Sequence, residues 1–78
     1  MSPESIKFLN DHRFFSDQLK KEGTIYNIGS AEKEGFLNVI RKDIDPGYMA
    51  NLYCGQCVAE MIKFIYIQYD KYLVQIHL

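Results

Sequence analysis

Apolar side chains of the first twenty-two residues recur at helical spacing. They lie at three- or four-residue steps around His12, at Phe8, Phe15 and Leu19. Ser2 and Pro3 favour a helix start, because serine accepts hydrogen bonds from the first N–H groups and proline is tolerated at the first helical position. Gly23 favours a helix end. We predict one helix between these limits. A break into two short helices at the weak point Asn10–Asp11 is the alternative.

The next two segments read as a packed loop and a second helical region. Thr24–Gly29 contains strand-forming residues, but Asn27 and Gly29 favour a loop. Ser30 is a plausible N-cap for a helix that ends near Lys42. The apolar stripe of this helix consists of Phe36, Val39 and Ile40. Gly35 lies inside it at a cost of about 1 kcal/mol relative to alanine, and it would allow another element to come close.

Asp45, Pro46 and Gly47 give the clearest signal in the chain for a boundary between two secondary-structure elements. Proline fixes φ and biases the preceding residue away from helix, so Asp45 is predicted as an N-cap with Pro46 at the first helical position. A long helix is predicted from Pro46 to Tyr69 or beyond. Its core-facing stripe would consist of Cys54, Val58, Met61, Ile65 and Tyr69.

The C-terminal residues Tyr72–Leu78 alternate apolar and polar side chains, which is typical of a strand. A hairpin with Phe64–Tyr69 is an alternative. Its turn would be Asp70–Lys71, and neither residue favours positive φ as glycine does. We therefore predict a short extended tail after the long helix.

These elements predict a mainly α fold, a single helical domain over residues 1–78. Three to four helices would form a small bundle around one long C-terminal helix. That helix would span roughly 36 Å, against a radius of gyration of about 11–12 Å for a globule of 78 residues. It is apolar almost all round, and short neighbours cannot easily cover every side. We expect part of its surface to meet another chain.

Charge and composition narrow the possible classes of protein. Nine Lys and Arg balance ten Asp and Glu, giving a net charge of −1, without the basic excess usual in nucleic-acid binders. The sequence shows neither a secretory signal pattern nor an apolar run long enough to cross a membrane. Two cysteines are too few for a disulfide scaffold. A cytoplasmic location is the expectation, inside a host cell if the chain is phage-encoded.

Cys54-Gly55-Gln56-Cys57 is the one motif-like element. Such a pair can be redox-active at the start of a helix, but a helix from Pro46 would place it in the interior, where packing is the simpler interpretation. A structural zinc ion needs about four ligands. Cys54 and Cys57 are candidates for two of them, and His12 and His77 could complete the set only if the chain ends meet.

Catalysis is not expected from this sequence. It contains no phosphate-binding glycine loop, no nucleophile elbow, no HExxH helix and no paired-carboxylate signature. A domain this small also has little room for a pocket of roughly 300 Å³. We therefore predict a protein that is not an enzyme and that uses no cofactor.

Aromatic side chains give the positive indication of function. Six tyrosines and five phenylalanines occur in 78 residues, and tyrosine suits partly wet protein interfaces because an apolar ring carries a polar tip. The alternative is that these rings fill a core without tryptophan. The candidate partner-binding residues are Tyr53, Phe64, Tyr66, Ile67, Tyr69 and Tyr72.

In size and make-up the chain resembles small phage-encoded anti-defence proteins such as anti-CRISPR inhibitors. The resemblance implies docking on an RNA-guided nuclease effector and blocking of guide loading, target binding or cleavage. It transfers no functional residue, and the near-neutral charge differs from the strongly acidic nucleic-acid mimics of that group. The first alternative is a structural or assembly protein that forms homodimers or larger oligomers through the long helix. The second is a zinc or redox module built on Cys54 and Cys57.

Overall fold

A computed structural model describes residues 1–76, which form four helices. They are α1 (Pro3–Asp11), α2 (Arg13–Glu22), α3 (Ser30–Asp43) and α4 (Gly55–Ile76). α4 packs against α2 and α3, while α1 packs against both α2 and α3. The predicted mainly helical bundle around a long C-terminal helix is confirmed. At 1.5 Å per residue α4 measures about 33 Å, close to the 35 Å longest dimension of the molecule.

The core lies where α4 meets the other helices. Half of the twelve buried apolar side chains among residues 1–76 come from α4, which explains why this helix organises the bundle. The twelve are Leu9, Phe15, Phe36, Leu37, Val39, Ile40, Val58, Met61, Ile62, Ile65, Tyr66 and Tyr69. None of the helices within residues 1–76 combines the length and apolar character needed to cross a bilayer.

The N-terminal half follows its local signals closely. The Ser2 hydroxyl accepts a backbone N–H of the first turn, and Gly23 ends α2 with φ +76°, a conformation that favours glycine. The alternative of two short helices is the one observed. The break lies just after Asn10–Asp11, at His12, whose N–H still donates to the Phe8 carbonyl at 3.1 Å.

The loop between α2 and α3 is packed as predicted, with Ile25 and Ile28 against the core. The predicted N-cap of α3 is wrong by one residue. Gly29 is the N-cap and Ser30 is the first helical residue, because the extended Gly29 backbone directs its carbonyl to the Lys33 N–H at 3.1 Å.

The long helix begins nine residues later than predicted, at Gly55 rather than Pro46. Asp45 caps a turn instead of a helix: its carboxylate accepts from the Gly47 N–H at 3.0 Å, and its carbonyl accepts from the Tyr48 N–H at 3.1 Å. Arg41 then anchors the turn by donating from Nε to the Tyr48 carbonyl at 2.9 Å. The segment places alternate side chains on the core, at Tyr48, Ala50 and Leu52. An extended path has that two-residue period, and a helix does not.

The predicted extended tail is also wrong, because α4 continues to Ile76. Tyr72 and Leu73 carry the helical core stripe one turn beyond Tyr69, and both pack partly against the core. This burial outweighs the local alternation of apolar and polar residues. Leu78, the last residue of the predicted tail, lies outside the described residues.

α1 and α3 approach each other closely at Gly35, as the sequence predicted. A Cβ atom placed there would lie 2.5 Å from Cε2 of Phe8. The Phe8 ring stacks on His12 with centroids 4.1 Å apart and meets the edge of Phe36 at 5.0 Å. Because Gly35 has no side chain, α3 leaves room for the Phe8 ring, which also packs against the rings of His12 and Phe36.

Asp43, at the end of α3, anchors the start of α1. Its carboxylate accepts hydrogen bonds from the Ser5 hydroxyl, from the Ser2 hydroxyl at 3.1 Å and from the Ser2 N–H at 3.4 Å. Burial alone would raise the pKa of Asp43, but the bonds from Ser5 and Ser2 lower it below its ordinary value. The charged form is therefore favoured in the folded protein.

We expect Asp43→Asn to lower the free energy of unfolding by about 1–2 kcal/mol at pH 7. Since the folded-state pKa is depressed, this contribution is present above the unfolded value near pH 4 and is lost as the pH falls through the folded value. Urea unfolding of both proteins between pH 2.5 and 7 should show the gap closing in acid. Asp17→Asn, at an exposed carboxylate on α2, is the control. A gap that stays constant with pH would contradict the assignment.

Candidate functional site

A groove of about 440 Å³ runs between α2 and α4. Its lining is mostly apolar, with Leu19 contributed by α2 and Ala59 and Ile67 contributed by α4. Lys20 and Lys63 line it as well, one from each helix. The groove exists because α2 is only ten residues long and covers one side of a helix more than twice its length.

The groove continues along α4 as a second, more open depression. The two share Ile67 and Asp70, and the second adds Lys71 and Val74. Ile67 is 45% exposed and Val74 is 60% exposed. From Ala59 to Val74 the helix rises about 22 Å. We name this surface the α2–α4 face, defined by Leu19, Lys20, Ala59, Lys63, Ile67, Lys71 and Val74.

The charge of the α2–α4 face is mainly positive. Lys20, Lys63 and Lys71 are all exposed, and within residues 1–76 none of them forms an ion pair. Asp70 is the acidic residue of the groove, and its carboxylate already accepts from the Arg13 guanidinium at 2.9 Å. The face therefore combines an apolar floor with three lysines available to an acidic partner.

The six candidate partner-binding residues do not form one surface. Tyr53 is fully exposed in the loop before α4, and Ile67 lies on the α2–α4 face. Phe64 and Tyr72 are half-buried, and the Phe64 ring stacks on Tyr48 with centroids 5.3 Å apart. The other two are core residues, which corrects their assignment as partner-binding residues: Tyr66 and Tyr69 are 2% and 1% exposed. For Tyr69 the burial confirms its predicted place in the core-facing stripe.

Burial of these two tyrosines is possible because both hydroxyls find partners at the α1–α2 junction. Tyr66 donates to the Leu9 carbonyl at 2.7 Å, and Tyr69 donates to Oδ1 of Asn10 at 2.8 Å. Arg13 lies over both rings, with Cζ 5.2 and 5.5 Å from their centroids. Burial raises the pKa of Tyr66. The hydroxyl groups of these tyrosines, which suggested a protein interface, therefore join α4 to α1 inside the bundle.

Sequence reasoning missed most of the α2–α4 face. Ala59, Lys63, Ile67 and Lys71 recur every four residues, so they form one row along α4. Because lysines alternate with small or apolar residues in this row, it does not form a continuous apolar stripe. A search for amphipathic periodicity therefore does not detect it. Leu19 had been recognised only as one of the helically spaced apolar residues of the first segment.

The cysteine pair lies at the beginning of α4, not in its interior. The Cys54 carbonyl accepts from the Val58 N–H at 3.0 Å, and its Sγ accepts from the Cys57 N–H at 3.2 Å. Cys54 is therefore the N-cap, and its predicted place in the core-facing stripe is wrong. Both thiols are free and half-buried. Both predictions about the pair, an interior position and a core-facing Cys54, are wrong because α4 starts at Gly55.

Residues 1–76 do not assemble a metal centre around this pair. Nowhere in that part of the chain do three His, Cys, Asp or Glu side chains converge as a metal would require. The His12 ring stacks on Phe8, and its Nδ1 lies 2.7 Å from the Phe8 carbonyl. His77 lies outside the described residues.

Comparisons with known proteins find no match for this chain among protein-family models, curated proteins or solved structures. Function is therefore inferred from the α2–α4 face and the cysteine pair themselves.

Proposed function

We propose that this chain is a non-catalytic protein-binding module whose α2–α4 face receives an amphipathic helix of another protein. The supporting observation is the exposure of Ile67 and Val74 along a groove between two helices. Contiguous exposed apolar surface rimmed by polar residues is characteristic of interaction sites. A helix laid in such a groove buries its apolar face through residues spaced three and four apart.

We infer the length of the proposed ligand helix from the dimensions of the α2–α4 face. Its floor extends about 22 Å along α4, the length of a helix of about 15 residues. The α2 side is lined by Leu19 and Lys20, so the ligand helix would lie along α4 with one flank against α2. Its apolar stripe would cover Ile67 at the centre and Val74 towards one end.

We infer the charge of the proposed ligand from the lysines of the α2–α4 face. Lys20 and Lys63 lie in the groove and Lys71 lies in its continuation, so acidic residues flanking the apolar stripe would face a positive rim. Exposed pairs of this kind accelerate association and select the partner more than they increase affinity. Binding should therefore weaken with added salt, mainly through a slower association rate.

Ile67→Asp tests this proposal directly. Proteins captured from the native host by the tagged wild-type chain would be quantified against those captured by the variant. The acidic helix of any captured protein would then be synthesised and titrated calorimetrically. We expect Ile67→Asp to weaken peptide binding by about thirtyfold or more, since central apolar anchors contribute at least about 2 kcal/mol. Circular dichroism would establish that the variant remains folded.

Tyr53→Ala is the matched control, because it removes a fully exposed ring outside the α2–α4 face. It should leave peptide affinity unchanged. Equal capture and affinity for wild type and Ile67→Asp would overturn the proposal. So would a dimer in light scattering that Ile67→Asp converts to a monomer, because the face would then serve self-association.

The narrower proposal is that the partner is a CRISPR nuclease effector, alone or with its RNA. Its support is the resemblance in size and make-up described above, together with a face suited to protein docking. The purified chain, added before guide RNA or after it, should reduce target cleavage by the host effector. Ile67→Asp should restore cleavage. Unchanged cleavage at saturating protein would exclude inhibition and leave the α2–α4 face to another partner.

A further inference from the structure

Two thiols meet at the first turn of α4. Residues three apart on a helix have Cα atoms about 5 Å apart, which lies within the range that a disulfide spans. The Cys57 N–H donates to Sγ of Cys54 at 3.2 Å, so the two residues are already in contact. We expect a pair at this spacing to be able to close a disulfide between its own sulfurs.

The two thiols are not equivalent. Hydrogen bonds from the Cys57 thiol, and then from the backbone N–H groups of Cys57 and Gln56, lower the pKa of Cys54. The hydrogen bond to Cys54 raises the pKa of Cys57, and burial raises it further. The charge of Glu60 is a smaller effect that opposes ionisation of both thiols without reversing the lowered pKa of Cys54. Burial, and then Glu60, raises the pKa of Tyr48, which lies on the loop side of the pair. Cys54 is therefore the thiol that ionises first.

The space beside the pair is open. Gly55 and Gln56 are exposed, Tyr53 is fully exposed, and a Cβ atom added at Gly55 would meet no atom within 4 Å. A disulfide-bearing molecule can therefore approach the Cys54 sulfur without displacing a side chain at this corner.

We propose that Cys54 and Cys57 form a thiol–disulfide exchange site for accessible disulfides of small thiols, with Cys54 as the attacking sulfur and Cys57 as the resolving sulfur. This inference does not depend on the α2–α4 face. It develops the redox alternative that the sequence raised for Cys54 and Cys57, now with the pair at the start of α4.

The exchange balances in two steps. The Cys54 thiolate attacks one sulfur of RS–SR, forming a mixed disulfide and releasing RS⁻. Cys57 then loses its proton to solvent, and its thiolate attacks the Cys54 sulfur and expels the second RS⁻. The protein dithiol is oxidised by two electrons, the external disulfide is reduced, and the two released thiolates take up two protons.

The test uses the reduced full chain and glutathione disulfide as the probe. After incubation and acid trapping, intact mass spectrometry should show a species lighter by two hydrogens and free of glutathione. Cys57→Ser should instead accumulate a glutathione adduct on Cys54. Cys54→Ser should acquire its adduct more slowly by about threefold or more, because the thiolate is the reacting species.

A second measurement needs no variant. Limiting iodoacetamide at pH 7, followed by peptide mapping of the wild-type chain, should modify Cys54 at least about three times faster than Cys57. Equal rates or faster modification of Cys57 would overturn the assignment of the attacking sulfur. A wild-type chain that remains a dithiol, or carries glutathione on both cysteines without closing a disulfide, would overturn the site itself.

Discussion

Replacing Tyr66 with alanine is expected to remove about 3–5 kcal/mol from the free energy of unfolding. The ring is buried between Phe36, its edge partner at 6.0 Å, and the Arg13 guanidinium. The substitution would open a cavity at the centre of the bundle. A domain of this length has a total stability of only about 4–12 kcal/mol, so the variant should be partly unfolded at 37 °C.

Tyr66→Phe isolates the hydroxyl from the ring. It keeps the volume but removes the donor to the buried Leu9 carbonyl, and leaving a buried acceptor unpaired costs about 1–3 kcal/mol. Urea unfolding followed by circular dichroism would measure both variants. Tyr53→Ala, at a fully exposed ring, should change stability by less than about 0.5 kcal/mol. A Tyr66→Phe variant as stable as wild type would show that the bond does not hold α4 to the α1–α2 junction.

The parts of the fold that could be predicted are those with local signals. Ser2 starts α1 through its own hydroxyl, and Gly23 ends α2 through its own φ angle. These effects involve neighbours within four residues, so the sequence contains their whole cause. The break at His12 was predictable for the same reason, since Asn10–Asp11 favours a helix end.

The errors occur where distant contacts decide between local alternatives. Asp45 and Pro46 can open either a helix or a turn. The turn is formed because Arg41 binds the Tyr48 carbonyl and because Tyr48 and Leu52 find places on the core. The tail is a similar case, in which burial of Tyr72 and Leu73 overrides an alternating pattern. Neither contact is visible in a window of adjacent residues.

The same limit applies to the candidate site. A tyrosine in the sequence does not reveal whether its hydroxyl faces water or a carbonyl. The partners of Tyr66 and Tyr69 lie 57 and 59 residues away along the chain. Ile67 directly follows the buried Tyr66 along the chain, but its own side chain remains 45% exposed. Adjacent residues on a helix differ by about 100°. The stripe through Met61, Ile65 and Tyr69 could therefore be predicted, whereas the side to which it widens, at Tyr66 and not at Ile67, could not.

Gly35→Val is expected to cost about 3 kcal/mol of unfolding free energy, because the added carbons would overlap the Phe8 ring and overpack the α1–α3 contact. Gly55→Val is the matched control, since an added Cβ atom there meets nothing within 4 Å. It should change stability by less than about 1 kcal/mol. Valine has a slightly higher helix propensity than glycine, so propensity alone predicts no loss at either position. Equal effects at the two glycines would therefore contradict the contact between Gly35 and Phe8.

The double variant with Phe8→Ala tests this contact further. Phe8→Ala alone should destabilise the protein, since the ring packs on His12 and Phe36. In that background the space beside Gly35 is empty, so Gly35→Val should cost little or should stabilise by filling the cavity. A coupling energy of about 1–3 kcal/mol between the two substitutions is expected for residues in direct contact. Strict additivity would mean that α1 and α3 do not approach at this point, and the bundle would need a different packing of its first helix.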